Sequence, residues 1–299
     1  MVTGQSDRAR AGERLTQRLW ELAGVLPALA WLALFVLVPM AIICVVSLWE
    51  SDLYGLQPIW TLRHWQRLFE STLYLSLLLK TLRIALVATL LSLLIAYPVA
   101  LLLSQLGETR RRIAITLLFV PFWVGFVVRT FAWLPILGRN GFINQTLLSL
   151  GAIEQPIDWL LYNEGAVYVG LVNGYLLFMV LPIYLSLDAI DRSLREAAAD
   201  LDAGPFETFR YVLLPLSLPG VASGCIMVFL LSFGAYVTPA MLGGPSGIML
   251  SNLIAQQFTA DNNWPFGAAL SILMTGLVIA ALLLTGRTVG LQRMFLRRS

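Results

Sequence analysis

The sequence predicts an all-α polytopic membrane protein with six transmembrane helices and both termini in the cytoplasm. Three observations carry that expectation. Hydrophobic residues make up 58% of the 299 and charged residues only 12%, with mean hydropathy +0.79. A soluble domain carries about 25% charged residues. Apolar runs of about 20 residues, long enough to cross a bilayer core as helices, occur repeatedly along the chain. Finally, the arginines gather in alternate loops.

The apolar runs fall at roughly 25–48, 83–104, 113–136, 166–187, 217–242 and 268–286. Each is expected to be helix. A sheet edge cannot satisfy its backbone in hydrocarbon, and no ten-residue alternation supports a barrel. The first run is longer than the 7–15-residue core of a cleaved signal, and no small-residue cleavage site follows it, so it reads as a first span.

Orientation follows from the basic residues. Arg8, Arg10, Arg14 and Arg18 precede the first run. Arg110, Arg111 and Arg112 lie between the second and third. Arg192, Arg195 and Arg210 lie between the fourth and fifth, and Arg287, Arg293, Arg297 and Arg298 follow the sixth. These are 14 of the 20 basic residues, all on one side of six spans, while residues 243–266 carry none. The positive-inside rule makes that side cytoplasmic. The chain then divides into a cytoplasmic Arg-rich segment (1–24), a transmembrane domain (25–286) with a cytoplasmic loop (188–216), and a basic cytoplasmic tail (287–299). The basic pI of about 9.0 reflects loops that face anionic lipid rather than nucleic acid.

The other loops carry their own pattern. "ESDLYGLQPIWTLRHWQRLFES" is aromatic-rich and suits a short interfacial helix. "GRNGFINQTLLSLGAIEQPIDWLLYNEG" has a helical apolar pattern between Gly-rich turns. Cys44 and Cys225 sit inside apolar runs as small buried hydrophobes, and one histidine, His64, makes a metal site improbable.

The loop "REAAADLDAGPFETFRYVLLPLSLPG" (195–220) is out of keeping with the oil around it. Leu194, Ala197, Ala198 and Leu201 fall on one shallow helical face. Gly204-Pro205 breaks the chain, and Pro205 suits the first turn of a second helix with Glu207 near its positive end. That second helix is expected to end near Leu214, before Pro215. Such a pair suits insertion into a groove on another protein. The plainer alternative is a solvated loop.

Glu196, Ala197 and Ala198, followed by Val212, Leu213, Leu214 and Pro215, resemble the "EAA" loop of bacterial ABC importer permeases. Motif, loop position and cytoplasmic side agree. The family's glycine is Asp202 here, with Gly204 two residues on; aspartate tolerates a positive φ better than most side chains. Further stretches, "VPFWVGFVVRTFAW", "SFGAYVTPAMLGGP" and "DNNWPFGAALS" among them, resemble the spermidine/putrescine-type branch. The resemblance implies the type I importer permease fold. It implies docking of Glu196, Ala197, Ala198, Asp202, Gly204, Leu214 and Pro215 on a nucleotide-binding ATPase dimer. It also implies a second homologous permease subunit and a periplasmic solute-binding protein. Transport then proceeds by alternating access in the bacterial inner membrane.

The chain cannot supply the ATP site itself. A phosphate-binding loop reads G-x-x-x-x-G-K-[ST], and the single lysine, Lys80 in "YLSLLLKTLR", has no such glycine before it. Hydrolysis, with ATP and Mg, belongs to a separate subunit, and no cofactor is expected on this chain.

Candidate path residues are the polar groups inside spans. Arg129, beside Trp123 and Trp133, is costly in a span and reads as a gate or an inter-subunit pair; the alternative is snorkelling to the interface. Asn173, Tyr175, Ser232, Tyr236 and Thr238 must face protein or water, either lining a path or bonding helix to helix. Aromatic faces such as Tyr236 or Trp133 suit an ammonium group by cation–π attraction. No Asp or Glu lies in mid-span, so a polyamine path must draw its acid from the partner or the outer loops. Two alternatives stay open: a permease of the same kind for an amino-acid- or opine-like solute, and an ion-coupled secondary transporter. The second class shows intramembrane carboxylates and paired broken helices, neither of which is evident.

Overall fold

The computed structural model describes residues 26–52 and 55–296, with side chains to residue 283. The Arg-rich segment 1–24 lies outside the described residues, as do the side chains of the basic tail.

Five helices are long and apolar enough to cross a membrane, or six spans if one bent pair counts as a single span. They are α1 (Leu26–Val46), α3 (Thr72–Gln105), the bent pair, α8 (Glu164–Asp188), α10 (Pro205–Phe233) and α13, which runs Trp264–Leu296 with side chains described to Leu283. The bent pair is α4 (Glu108–Trp123) followed by Phe126–Ser149, at 91° to it. Between α1 and α3 lie a hairpin, β1 (Glu50–Asp52) with β2 (Gly55–Gln57), and the short helix α2 (Arg63–Glu70). The short helix was expected from the aromatic loop; the hairpin was not.

Helices α3, α8 and α10 form the centre. Ala96, Tyr97, Ala100, Leu103, Met179, Val180, Ile183, Leu187, Leu213 and Val228 make one buried cluster across them. Small residues permit the approach. A Cβ on Gly220 of α10 would stand 2.4 Å from the Pro182 carbonyl oxygen of α8, and one on Gly224 would stand 2.8 Å from the Met179 sulfur. This is the close-approach packing used where lipid removes the hydrophobic drive between helices. The outward faces carry large exposed apolar side chains, Leu86, Leu90, Leu94 and Leu117 among them, as a lipid-facing surface requires. Helix α1 lies against α13 and buries none of its apolar window within the chain.

Three expected boundaries are corrected. The second span begins at Thr72 rather than residue 83, because residues 72–82 continue the helix. Its 34 residues extend about 50 Å at 1.5 Å each, beyond a hydrocarbon core of about 30 Å. The third run, 113–136, is not one straight helix: α4 carries Pro121 within it, and Val124 and Gly125 are extended. The fifth run, 217–242, breaks at Gly234–Tyr236. Helix α11 (Val237–Leu242) follows, then a single turn at Gly244–Gly247 and α12 (Leu250–Thr259).

Candidate functional site

Two places gather the polar residues, one at each end of α10. The first is the loop that joins α8 to α10. Asp191 opens helix α9 (Arg192–Asp200): its carboxylate accepts from the Ser193 backbone N–H at 2.9 Å. The hydrogen bonds from Ser193 hold the Asp191 carboxyl below its ordinary range. The helix ends in a left-handed turn. Asp202 has φ 58°; its N–H donates to Ala199 O at 3.0 Å, and the Ala203 N–H donates to Ala198 O at 3.1 Å. These are the two bonds of a Schellman cap, whose turning residue is usually glycine. The resemblance expects glycine at this position, and the backbone geometry gives the reason.

Gly204 then starts α10. Its N–H donates to Glu207 Oε2 at 3.0 Å, and Pro205 takes the first helical position. Here a further expectation is corrected: the helix does not end before Pro215. Residues Phe209–Leu213 form a widened π turn and the helix continues to Phe233. The widened turn makes room for a proline ring that would otherwise clash with a carbonyl one turn back.

The loop is tied to the bundle at its base. Phe209 meets Tyr97 edge-on at 5.5 Å between ring centroids, and the Tyr97 and Ser217 hydroxyls hydrogen-bond at 2.8 Å. Leu213 and Leu214 join the central cluster. Arg111 of α4 donates to Asp188 at 2.8 Å, which fastens the turn between α3 and α4 to the foot of α8. Toward solvent the loop shows Leu201 at 83%, Tyr211 at 71% and Phe206 at 70% exposure. Glu196, Ala197, Asp202 and Pro215 are also exposed; Ala198 is buried and Gly204 half-buried. Aromatic and leucine side chains thus stand exposed on an otherwise polar loop.

The second place is the opposite end of α10, where the chain opens between Phe233 and Val237. Side chains of α12 hold the freed carbonyls: the Ser251 hydroxyl donates to Ala235 O, and Asn252 Nδ2 donates to Tyr236 O at 2.9 Å. The Leu250 N–H is met by the Thr81 hydroxyl of α3 at 2.8 Å. A cleft of about 690 Å³ results, lined by Lys80, Tyr236, Pro239, Asn252, Gln256 and Thr259 among others.

The structure separates the candidate path residues. Tyr236 is half exposed in this cleft. Asn173 is exposed on α8. Ser232 and Thr238 are sealed inside the chain's own packing, with no hydrogen-bond partner for either hydroxyl. Tyr175 is half-buried and stacks on Phe126 at 5.5 Å. Helix α5 (Phe126–Phe131) carries Arg129. Its guanidinium lies 4.3 Å from the Phe122 ring centroid and 5.7 Å from that of Phe126, and Nη1 donates to Pro121 O at 3.3 Å. Arg129 therefore bridges the break between α4 and α5. Trp133 packs, half-buried, beside Leu137, Leu161, Ala166 and Leu242. Lys80, Asn252 and Gln256 escaped sequence reasoning. Lys80 stood just outside the expected span, and the two amides stand in the loop before the last span until the fold returns them to Tyr236.

Residues 2–298 match the family described as "Binding-protein-dependent transport system inner membrane component". The chain is 38% identical over 252 residues to the "Spermidine/putrescine transport system permease protein PotB" of Salmonella typhimurium (strain SL1344), covering 84% of this chain and 87% of that one. It is 37% identical to the PotB of Escherichia coli (strain K12), with 84% and 91% covered. Its fold matches a chain of the crystal structure of a bacterial ABC transporter "involved in the import of the acidic polysaccharide alginate". The TM-score is 0.75 at 15% identity, over 93% of this chain and 98% of that one. The chain therefore belongs to the inner membrane components of binding-protein-dependent ABC importers: a multi-pass permease subunit of the bacterial inner membrane, not an enzyme, whose ATP hydrolysis lies on a separate subunit.

Proposed function

We propose that this permease carries a polyamine of the spermidine/putrescine class and takes its driving force through the loop 188–216. The substrate reading is supported by 36–38% identity to PotB proteins from several bacteria over most of the chain. The coupling reading is supported by one arrangement above all. Leu201, Phe206 and Tyr211 stand exposed on a capped pair of helices whose base is packed into α3 and α8.

In this reading the termini and α9 face the cytoplasm, as the arginine distribution requires. A dimer of ATPase subunits, holding ATP and Mg, grips α9 through Glu196, Ala197 and the exposed apolar side chains. Asp202 and Gly204 set the turn, and Leu214 and Pro215 pass its motion into α10. A homologous second permease completes the path, of which Tyr236 and Asn173 form part of one wall. Ser232, Thr238 and Tyr175 shape the helices behind that wall, and Arg129 and Trp133 brace the bent third span. A loaded periplasmic binding protein delivers the solute. ATP and that protein together shift the equilibrium toward the outward-open state, which each must bind more tightly than the inward-open one.

The test is charge reversal at Glu196. In proteoliposomes, E196K is expected to lose solute uptake by more than tenfold while the protein still inserts and α10 still packs. Normal uptake by E196K removes the docking claim.

A further inference from the structure

The chain's single lysine stands in the cleft at the Phe233 end of α10. Lys80 is half-buried on α3 and shares that cleft with Tyr236, Asn252 and Gln256. None of the lining residues is Asp or Glu, and none of the ion pairs among the described residues includes Lys80. Nearby, Arg83 of α3 is neutralised by Glu164 of α8 at 2.6 Å. The acid connected to the lining is Asp261, exposed just beyond α12, which accepts from Gln256 Nε2 at 3.5 Å and from Gln257 Nε2. The mouth thus offers one carboxylate at its rim and one uncompensated ammonium within.

We infer that Lys80 sets the charge selectivity of this mouth, favouring a diamine over amines that carry three or more charges. The inference rests on the polyamine reading above and narrows it. Asp261 and the face of Tyr236 accommodate one ammonium of an entering solute. Every further ammonium meets Lys80 with no acid to offset it. At about 7 Å in a water-like dielectric, each such encounter lowers occupancy roughly threefold. A triamine brings one more of these encounters than a diamine does.

The experiment uses the complete importer in proteoliposomes, with excess loaded binding protein and labelled putrescine or spermidine. The readout is the ratio of spermidine to putrescine uptake, normalised to the permease present. Because every variant uses the same binding protein, its own preference cancels between them. K80Q is expected to raise the ratio about threefold, and K80R to leave it unchanged. An unchanged ratio in K80Q overturns the inference. So does an equal shift in K80R, which would assign the effect to side-chain shape. Uptake of neither amine by the unaltered importer overturns the polyamine reading itself, and the selectivity role with it.

Discussion

The two ends of α10 solve opposite problems. At the end that carries the loop, the helix passes through Pro215 and Pro219 without breaking, widens by one π turn and packs into the central cluster. At the other end it stops at Phe233, and amide and hydroxyl side chains of α12 cap the carbonyls it leaves open. The first end is continuous, so a displacement of α9 moves α10 as a body. The second is held by a few polar bonds beside a cleft of about 690 Å³. In the function proposed above, the difference separates transmission from passage along a single helix.

The comparison breaks most sharply at Gly220. A Cβ there meets the Pro182 carbonyl oxygen at 2.4 Å and the Ser186 Cβ at 2.5 Å, both on α8. Because the clash is with backbone, G220A is expected to destabilise by roughly 1–3 kcal/mol, read as a lower midpoint in denaturant titration of the purified subunit. Asn252 at the other end should matter less. It donates to Tyr236 O at 2.9 Å and accepts from the Met249 N–H at 3.1 Å in a half-buried position. N252A is expected to cost about 1 kcal/mol in the same titration. A loss equal to or greater than that of G220A contradicts the division drawn between the ends. The smallest effect is expected at Asp202, whose φ of 58° suits glycine. D202G should exceed D202A in stability by about 1 kcal/mol; the pair removes the same charge, so their difference isolates the backbone.

Much of this was legible in the residues. The apolar runs gave the helical spans, and the E-A-A spacing marked the loop that carries α9. The positive φ of Asp202 was foreseeable because aspartate is one of the few side chains that tolerates it. What escaped was set by long-range packing. The break at Val124–Gly125 lies in a stretch that is apolar throughout, and hydropathy registers transfer from water rather than helix direction. Pro121 and Gly125 were the signals available. Pro215 reads as a helix stop under local rules, yet a π turn absorbs it. Ser232 and Thr238 looked like path residues because polarity in a span demands a partner or water. Burial of their hydroxyls inside α10, α11 and α8 packing is a property of the assembled helices. Lys80 joined the cleft only when α12 folded back against α3.

The most direct measurement places a photo-crosslinking residue at Leu201, the most exposed apolar side chain of the loop at 83%, in the importer assembled with its ATPase subunits. Irradiation is expected to join this chain to the ATPase in high yield, with an ATP-dependent change in yield. A control at Leu94, exposed on the side of α3, should give none. Absence of an ATPase adduct at position 201, with the assembly intact, would contradict the account.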